Sequence, residues 1–181
     1  MNEIIKNNGI KFGIICGLVY LSIDLYAFLF DLNLFGSILK LLWLLLFLTL
    51  FFIIINIVLL NKTKKALNGV FSFKEAFTTF FISLTISLLF STLFQILIFN
   101  VIDPTLGEQV KELTINSTVE FMKKLGASSS DIKASVEQMK TSPDNYSIIN
   151  LIKGYFIKTV ILSIFGVIFS LIFKSKPKEQ F

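Results

Sequence analysis

Leu41 to Leu60 reads LLWLLLFLTLFFIIINIVLL, twenty residues without a charge. An α-helix rises ~1.5 Å per residue, so about twenty residues cross a hydrocarbon core of ~30 Å. A soluble domain has no use for such a run, and it reads as a transmembrane helix. Three more stretches share its character. Ala76–Ile102 is also free of charge, Gly154–Phe173 carries one Lys, and Ile10–Phe30 carries Lys11 and Asp24. The expected fold is all-α. It is a four-span transmembrane helical bundle, residues 1–181, with spans at about 10–30, 41–60, 76–102 and 151–173.

Composition agrees with a membrane class. The chain is 54% hydrophobic with a mean hydropathy of +0.78, and its apolar residues are bunched rather than spread at core spacing. All seventeen basic residues are Lys, and there is no His. The pI near 9.3 does not point to nucleic acid, because much of the excess Lys lies beside the spans. Cys16 is the single cysteine, so no intrachain disulfide forms. Lys6 and Lys11 before an apolar stretch resemble a signal peptide, but no small-residue cleavage pattern follows. The stretch is expected to stay as the first span.

With four spans, nine lysines share one side: Lys6, Lys11, Lys62, Lys64, Lys65, Lys74, Lys174, Lys176 and Lys178. The opposite side holds Lys40 and the lysines of a long third loop. Positive residues are retained in the cytoplasm, which places both termini inside a bacterial cytoplasmic membrane. Trp43 suits the opposite interface.

The third loop, 103–150, is the one segment large enough for structure outside the bilayer. Leu106, Val110, Leu113, Phe121 and Leu125 fall at helical spacing, with Ser117 in the gap. Ile132, Val136 and Met139 form a second stripe. Gly126 ends the first helix, and Ser128 with Asp131 opens the second. The expectation is a helical hairpin at about 105–140. Its stripe of Val110, Leu113, Phe121, Ile132, Val136 and Met139 packs on itself and on the bundle mouth, or else receives a partner.

Three local patterns occur in order. Phe71-Ser-Phe73-Lys-Glu-Ala76-Phe77 enters the third span. Lys123-Lys-Leu-Gly126-Ala-Ser-Ser-Ser-Asp131 makes the hairpin turn. Phe165-Gly166 lies in the last span, ahead of a lysine tail. In that order and spacing the chain resembles the DUF4199 family, multi-pass membrane proteins of Bacteroidota with no assigned activity. The resemblance covers nearly the whole chain. It implies a topology and brings no catalytic residues.

Small residues recur at helix-packing spacing. Gly9, Gly13 and Gly17 share one face of the first span. Ser83, Ser87 and Ser91 share one face of the third, which Gln95 extends. Gly166 and Ser170, with Thr159 and Ser163, do the same in the fourth. Such faces let helix backbones approach closely in lipid. Bundle closure is the plain reading and homodimerisation the alternative. Charges within spans are the default functional candidates. Asp24 and Lys158 are expected at similar depth in antiparallel spans, where an ion pair offsets the ~2.5–3.5 kcal/mol cost of a lone central ion. A proton or ligand site at Asp24 is the alternative, and a snorkelling Lys158 is a third reading.

Enzyme readings fail on inventory. Without His there is no Ser-His hydrolase and no ordinary zinc site. A two-Asp intramembrane protease needs a second buried Asp, one Cys offers no redox pair, and no P-loop is present. No cofactor or metal is expected. Two function classes survive. The first is a non-enzymatic accessory, scaffold or envelope-homeostasis module, whose partners are the bilayer and a membrane protein or a second copy. The second is a small proton- or cation-linked transporter or channel using Asp24. Against the second, none of Pro104, Pro143 and Pro177 interrupts a span, and no repeat is evident.

Overall fold

A computed structural model describes residues 2–175, so Lys176 and Lys178 of the lysine tail lie outside the described residues. The described chain is helical throughout. In order come α1 (Glu3–Phe30), a one-turn α2 (Asn33–Gly36), α3 (Ile38–Ala66), α4 (Phe73–Leu97), α5 (Leu106–Lys124), α6 (Ser129–Thr141) and α7 (Ile148–Phe173). A π-helical turn, Ile98–Ile102, prolongs α4. Four helices, α1, α3, α4 with its π turn, and α7, are long and apolar enough to cross a bilayer. They run past the uncharged stretches because polar residues cap them. Asn2 caps α1, Ser147 caps α7, and Ser72 with Glu75 forms a complete capping box at α4. Asn68 and Gly69, both at positive φ, reverse the chain after α3.

The main contact is α1 against α4. Gly9, Gly13 and Gly17 face Ile82, Ile86 and Phe90, and Thr79 and Ser83 present their carbonyls to the first two glycines. A Cβ on Gly13 would come within 2.8 Å of the Ile86 Cβ and 3.0 Å of the Ser83 carbonyl oxygen. Ser83 and Ser87 are buried on the same surface. The glycine and serine faces therefore meet each other inside one chain. On the far side of α4, Gly166 of α7 lies against the Phe80 ring, and Ser170 is fully buried.

The bundle is filled at the end that holds Glu3 and Phe173. Phe52, Leu60, Phe71, Phe80, Leu84 and Phe169 form its core there. Ser175 fastens that end: its N–H donates to the Phe71 carbonyl (2.7 Å), and its hydroxyl accepts from the Phe71 N–H (2.8 Å). At the opposite, hairpin end, Asn100 in the π turn donates to the Tyr146 carbonyl (3.0 Å), and the Phe99 and Tyr146 rings stack with centroids 4.0 Å apart. So α7 runs antiparallel to α4 and is pinned to it near both ends. By contrast, α3 is peripheral. Its buried residues, Phe52, Asn56, Leu59, Leu60 and Thr63, all lie in its second half.

The hairpin is helical, and Gly126 (φ 76°) makes its turn. Ser128 accepts from the Asp131 N–H (3.2 Å) to open α6. Val110 is buried with Ile98, Phe99 and Leu106, while Leu113 lies against Gly36 of α2. The first half of the stripe thus packs on the bundle mouth. Phe121, Ile132, Val136 and Met139 are half-buried, and α6 buries no side chain fully. Leu125 departs from expectation. It is 70% exposed because it caps α5, where the helical face no longer continues.

Gly13→Ala is expected to cost about 1–3 kcal/mol, since the added methyl must push two packed helices apart. Gly154→Ala meets open space and is expected to be neutral or to stabilise by up to ~1 kcal/mol through helix propensity. Unfolding of the two variants in detergent micelles reads the difference directly.

Candidate functional site, a polar cluster within the spans

Asp24 continues the glycine face of α1 and is 7% exposed. Directly across from it, α4 presents the last members of its serine stripe. Ser91 Oγ donates to Asp24 Oδ2 (2.7 Å), and Gln95 Nε2 donates to Oδ1 (3.2 Å). Gln95 also reaches Ser91 Oγ at 3.4 Å. Helical spacing explains the grouping. Residues 91 and 95 lie one turn apart on one face, so both donors converge on one carboxyl group. Neutral donors hold both oxygens, and that arrangement fixes a carboxyl group where water is scarce.

Lys158 does not join this cluster, which corrects the expected Asp24–Lys158 ion pair. Among the described residues the one ion pair joins Lys40 to Asp31. Lys158 is exposed and reaches Asp24 only as a through-space charge. The reason is register. The Asn100–Tyr146 and Phe71–Ser175 bonds place Lys158 level with about Leu88, roughly a turn deeper than Ser91. Counting depth from the loop boundaries, as a sequence reading must, misses this offset.

A second polar feature sits at the hairpin base. A cleft of about 280 Å³ is lined by Phe35, Val110, Lys111, Met139, Asp144 and Tyr146, among others. Lys111 Nζ donates to the Lys140 (3.0 Å) and Ser142 (3.2 Å) carbonyls, which tie the end of α6 to α5. Burial first, then the charges of Asp24 and Asp144, push the Tyr146 hydroxyl up to about 12. It therefore stays a neutral hydroxyl through the physiological range and supplies no base. Nearby Asp31 is held below the usual carboxylate range by the hydrogen bond from Lys40. Among the described residues no three His, Cys, Asp or Glu side chains converge as a metal site.

Several residues that position these features carry no signal strong enough to single them out. Ser117 Oγ accepts from the Ile38 N–H (2.8 Å) and so ties α5 to the start of α3. Asn8 donates to Thr63 (3.1 Å) between α1 and α3. Asn56, inside the Leu41–Leu60 run, is buried and bonds its own helix at the Phe52 carbonyl (2.8 Å). Gly36 is the one with a readable hint, a glycine between apolar residues where backbones approach closely.

Among known protein families, the one described as "Protein of unknown function (DUF4199)" matches residues 11–175. No curated protein and no solved structure matches the chain.

If neutral donors hold Asp24, Ser91→Ala is expected to cost about 1–3 kcal/mol, as one carboxyl oxygen loses its partner. That cost should shrink in a double variant that also carries Asp24→Leu. Lys158→Leu is expected to change bundle stability by no more than ~0.5 kcal/mol, against ~3–5 kcal/mol for breaking a buried pair. Detergent unfolding of the single and double variants distinguishes these outcomes.

Proposed function

The chain belongs to the DUF4199 family, and from that premise we propose that it is a non-enzymatic accessory or scaffold protein of a bacterial cytoplasmic membrane. It acts through helix packing within the bilayer and through its helical hairpin outside. The observation that carries this reading is the state of the hairpin. Buried Leu106 and Val110 and the Ser117–Ile38 bond fasten α5 to the bundle. The companion helix α6 is ordered yet buries no side chain fully. An ordered, solvent-facing helix held at a fixed height above a membrane is a docking element. The glycine face of α1 is occupied by α4, so that face is not presented to a second copy.

The orientation follows from charge. Lys6, Lys11, Lys62, Lys64, Lys65, Lys74 and Lys174 sit at the end opposite the hairpin, so that end is cytoplasmic and the hairpin is outside. The transport reading keeps one supporting observation, a buried carboxyl group within a span, beside a π-helical turn of the kind often found at functional sites.

In a Cys16→Ala background, an impermeant thiol reagent on intact cells is expected to label Ser130→Cys and spare Lys64→Cys. The reverse pattern overturns the orientation. A photo-crosslinker at Lys133 on α6 is expected to capture one membrane or envelope protein in stoichiometric yield. A proton-linked flux in proteoliposomes, abolished by Asp24→Asn with folded yield intact, would instead establish transport.

A further inference from the structure

Lys158 forms no hydrogen bond or ion pair among the described residues, and it lies well inside its span. The two pins of α7 define that depth. Tyr146 and Ser175 lie about 43 Å apart along a helical rise, and Lys158 is about 18 Å from the Tyr146 pin. A ~30 Å hydrocarbon core centred between the pins puts its Cα roughly 11 Å inside the hairpin-side boundary. The four-carbon stem, snorkelling outward, covers only part of that distance. No hydrogen bond or ion pair to Lys158 is formed among the described residues, and the donors to Asp24 are Ser91 and Gln95.

The surroundings of Lys158 are equally specific. Residues 158 and 165 share a face of α7 two turns apart, and the Phe165 ring meets Phe52 of α3 (6.4 Å). Both helices run the same way, so Lys158 faces the level of Leu45. There the face of α3 that carries Phe52 is uncovered, while Leu44, Leu48 and Phe51 on the neighbouring face stay half-buried. Ile38 to Phe51 contains no buried residue, and Leu45 is 58% exposed. Beyond the Phe52–Phe165 contact, the facing sides of α3 and α7 are thus both uncovered, an apolar surface with one ammonium on it.

We propose that this surface docks a transmembrane helix of a partner protein, one that places an Asp or Glu carboxylate against Lys158. Charge complementarity selects the partner. An ammonium at this depth is costly until an anion meets it, and acyl chains bring none. A second copy brings none either, because Asp24 is the single acid of the spans beyond their first turns and lies buried. The partner's carboxylate then supplies what α1 does not. The proposal rests on the accessory reading above and gives its partner a chemical identity.

The test is a photo-crosslinking residue at Leu45 in native membranes, with Lys158 intact or changed to Leu, and a parallel probe at Lys133 on α6. The expected result is an adduct to one membrane protein, with the modified peptide a span containing Asp or Glu. Lys158→Leu should reduce that adduct at least tenfold while leaving the detergent melting of the bundle unchanged. Lys158→Asp combined with Lys at the partner's acid should restore it. Adducts to lipid or to a second copy alone overturn the proposal, as does a protein adduct indifferent to Lys158→Leu. Loss of folding in Lys158→Leu also overturns it, because Lys158 would then serve its own bundle. If the α6 adduct persists while the Leu45 adduct is absent, the docking surface is wrong and the accessory reading stands. If neither probe captures a protein, both fail.

Discussion

Everything in this bundle is built around the close approach of α1 and α4. In lipid, oily side chains gain little by exchanging acyl tails for one another, so helices associate where backbones can come near. The three glycines of α1 remove the side chains that would hold α4 away, and Thr79 and Ser83 fill the space with carbonyls and small groups. That approach also sets the polar chemistry. Asp24 follows Gly17 along one face, and Ser91 and Gln95 follow Ser87 along the other. Packing the small residues delivers the carboxyl group to its donors without a counter-ion.

The arrangement of polar groups around that seam follows one rule. No fully buried side-chain nitrogen or oxygen lacks a hydrogen-bond partner among the described residues. Thr63, Thr79, Thr159 and Ser170 return to their own helix carbonyls, and Asn56 does the same. Such bonds make polar residues tolerable in a dry interior without making them sites. Asp24 differs because both its partners come from another helix, so that with Asn8–Thr63 it ties spans together through side chains. Lys158 differs because it has no partner at all.

Much of the architecture is legible in the sequence because a bilayer restricts what can cross it. Uncharged runs of about twenty residues have one solution there, a helix. Glycine and serine spacing marks which faces meet, and Gly126 with Ser128 and Asp131 marks the hairpin turn. What sequence does not carry is axial register between helices that are distant in the chain. Asp24 and Lys158 look level when counted from their loops and are offset when α7 is placed by Asn100 and Ser175. Ser175 falls in a lysine tail, Ser117 fills a gap in an apolar stripe, and Asn100 sits at the end of an apolar run. Each is a common residue in an ordinary setting, and only the tertiary partner gives it a role. Leu125 errs the other way, continuing a period that the helix itself does not.

The two ends of α7 have a mechanical consequence. Bonds to the backbone at Tyr146 and at Phe71 clamp α7 to α4 like a strut bolted at both ends, so sliding one past the other breaks both joints at once. The small-residue seam makes α1 part of the same rigid frame. Of the four spans, α3 alone is free of such double fixation. Its second half is anchored by Phe52, Leu59, Leu60 and Thr63, while its first half is tethered by Ser117 of α5 at the Ile38 N–H. The helix is therefore a cantilever whose free end is tied to the hairpin. A load applied to α5 reaches α3 through the Ile38 N–H and reaches the end of α4 through Leu106 and Val110, which pack on Ile98 and Phe99.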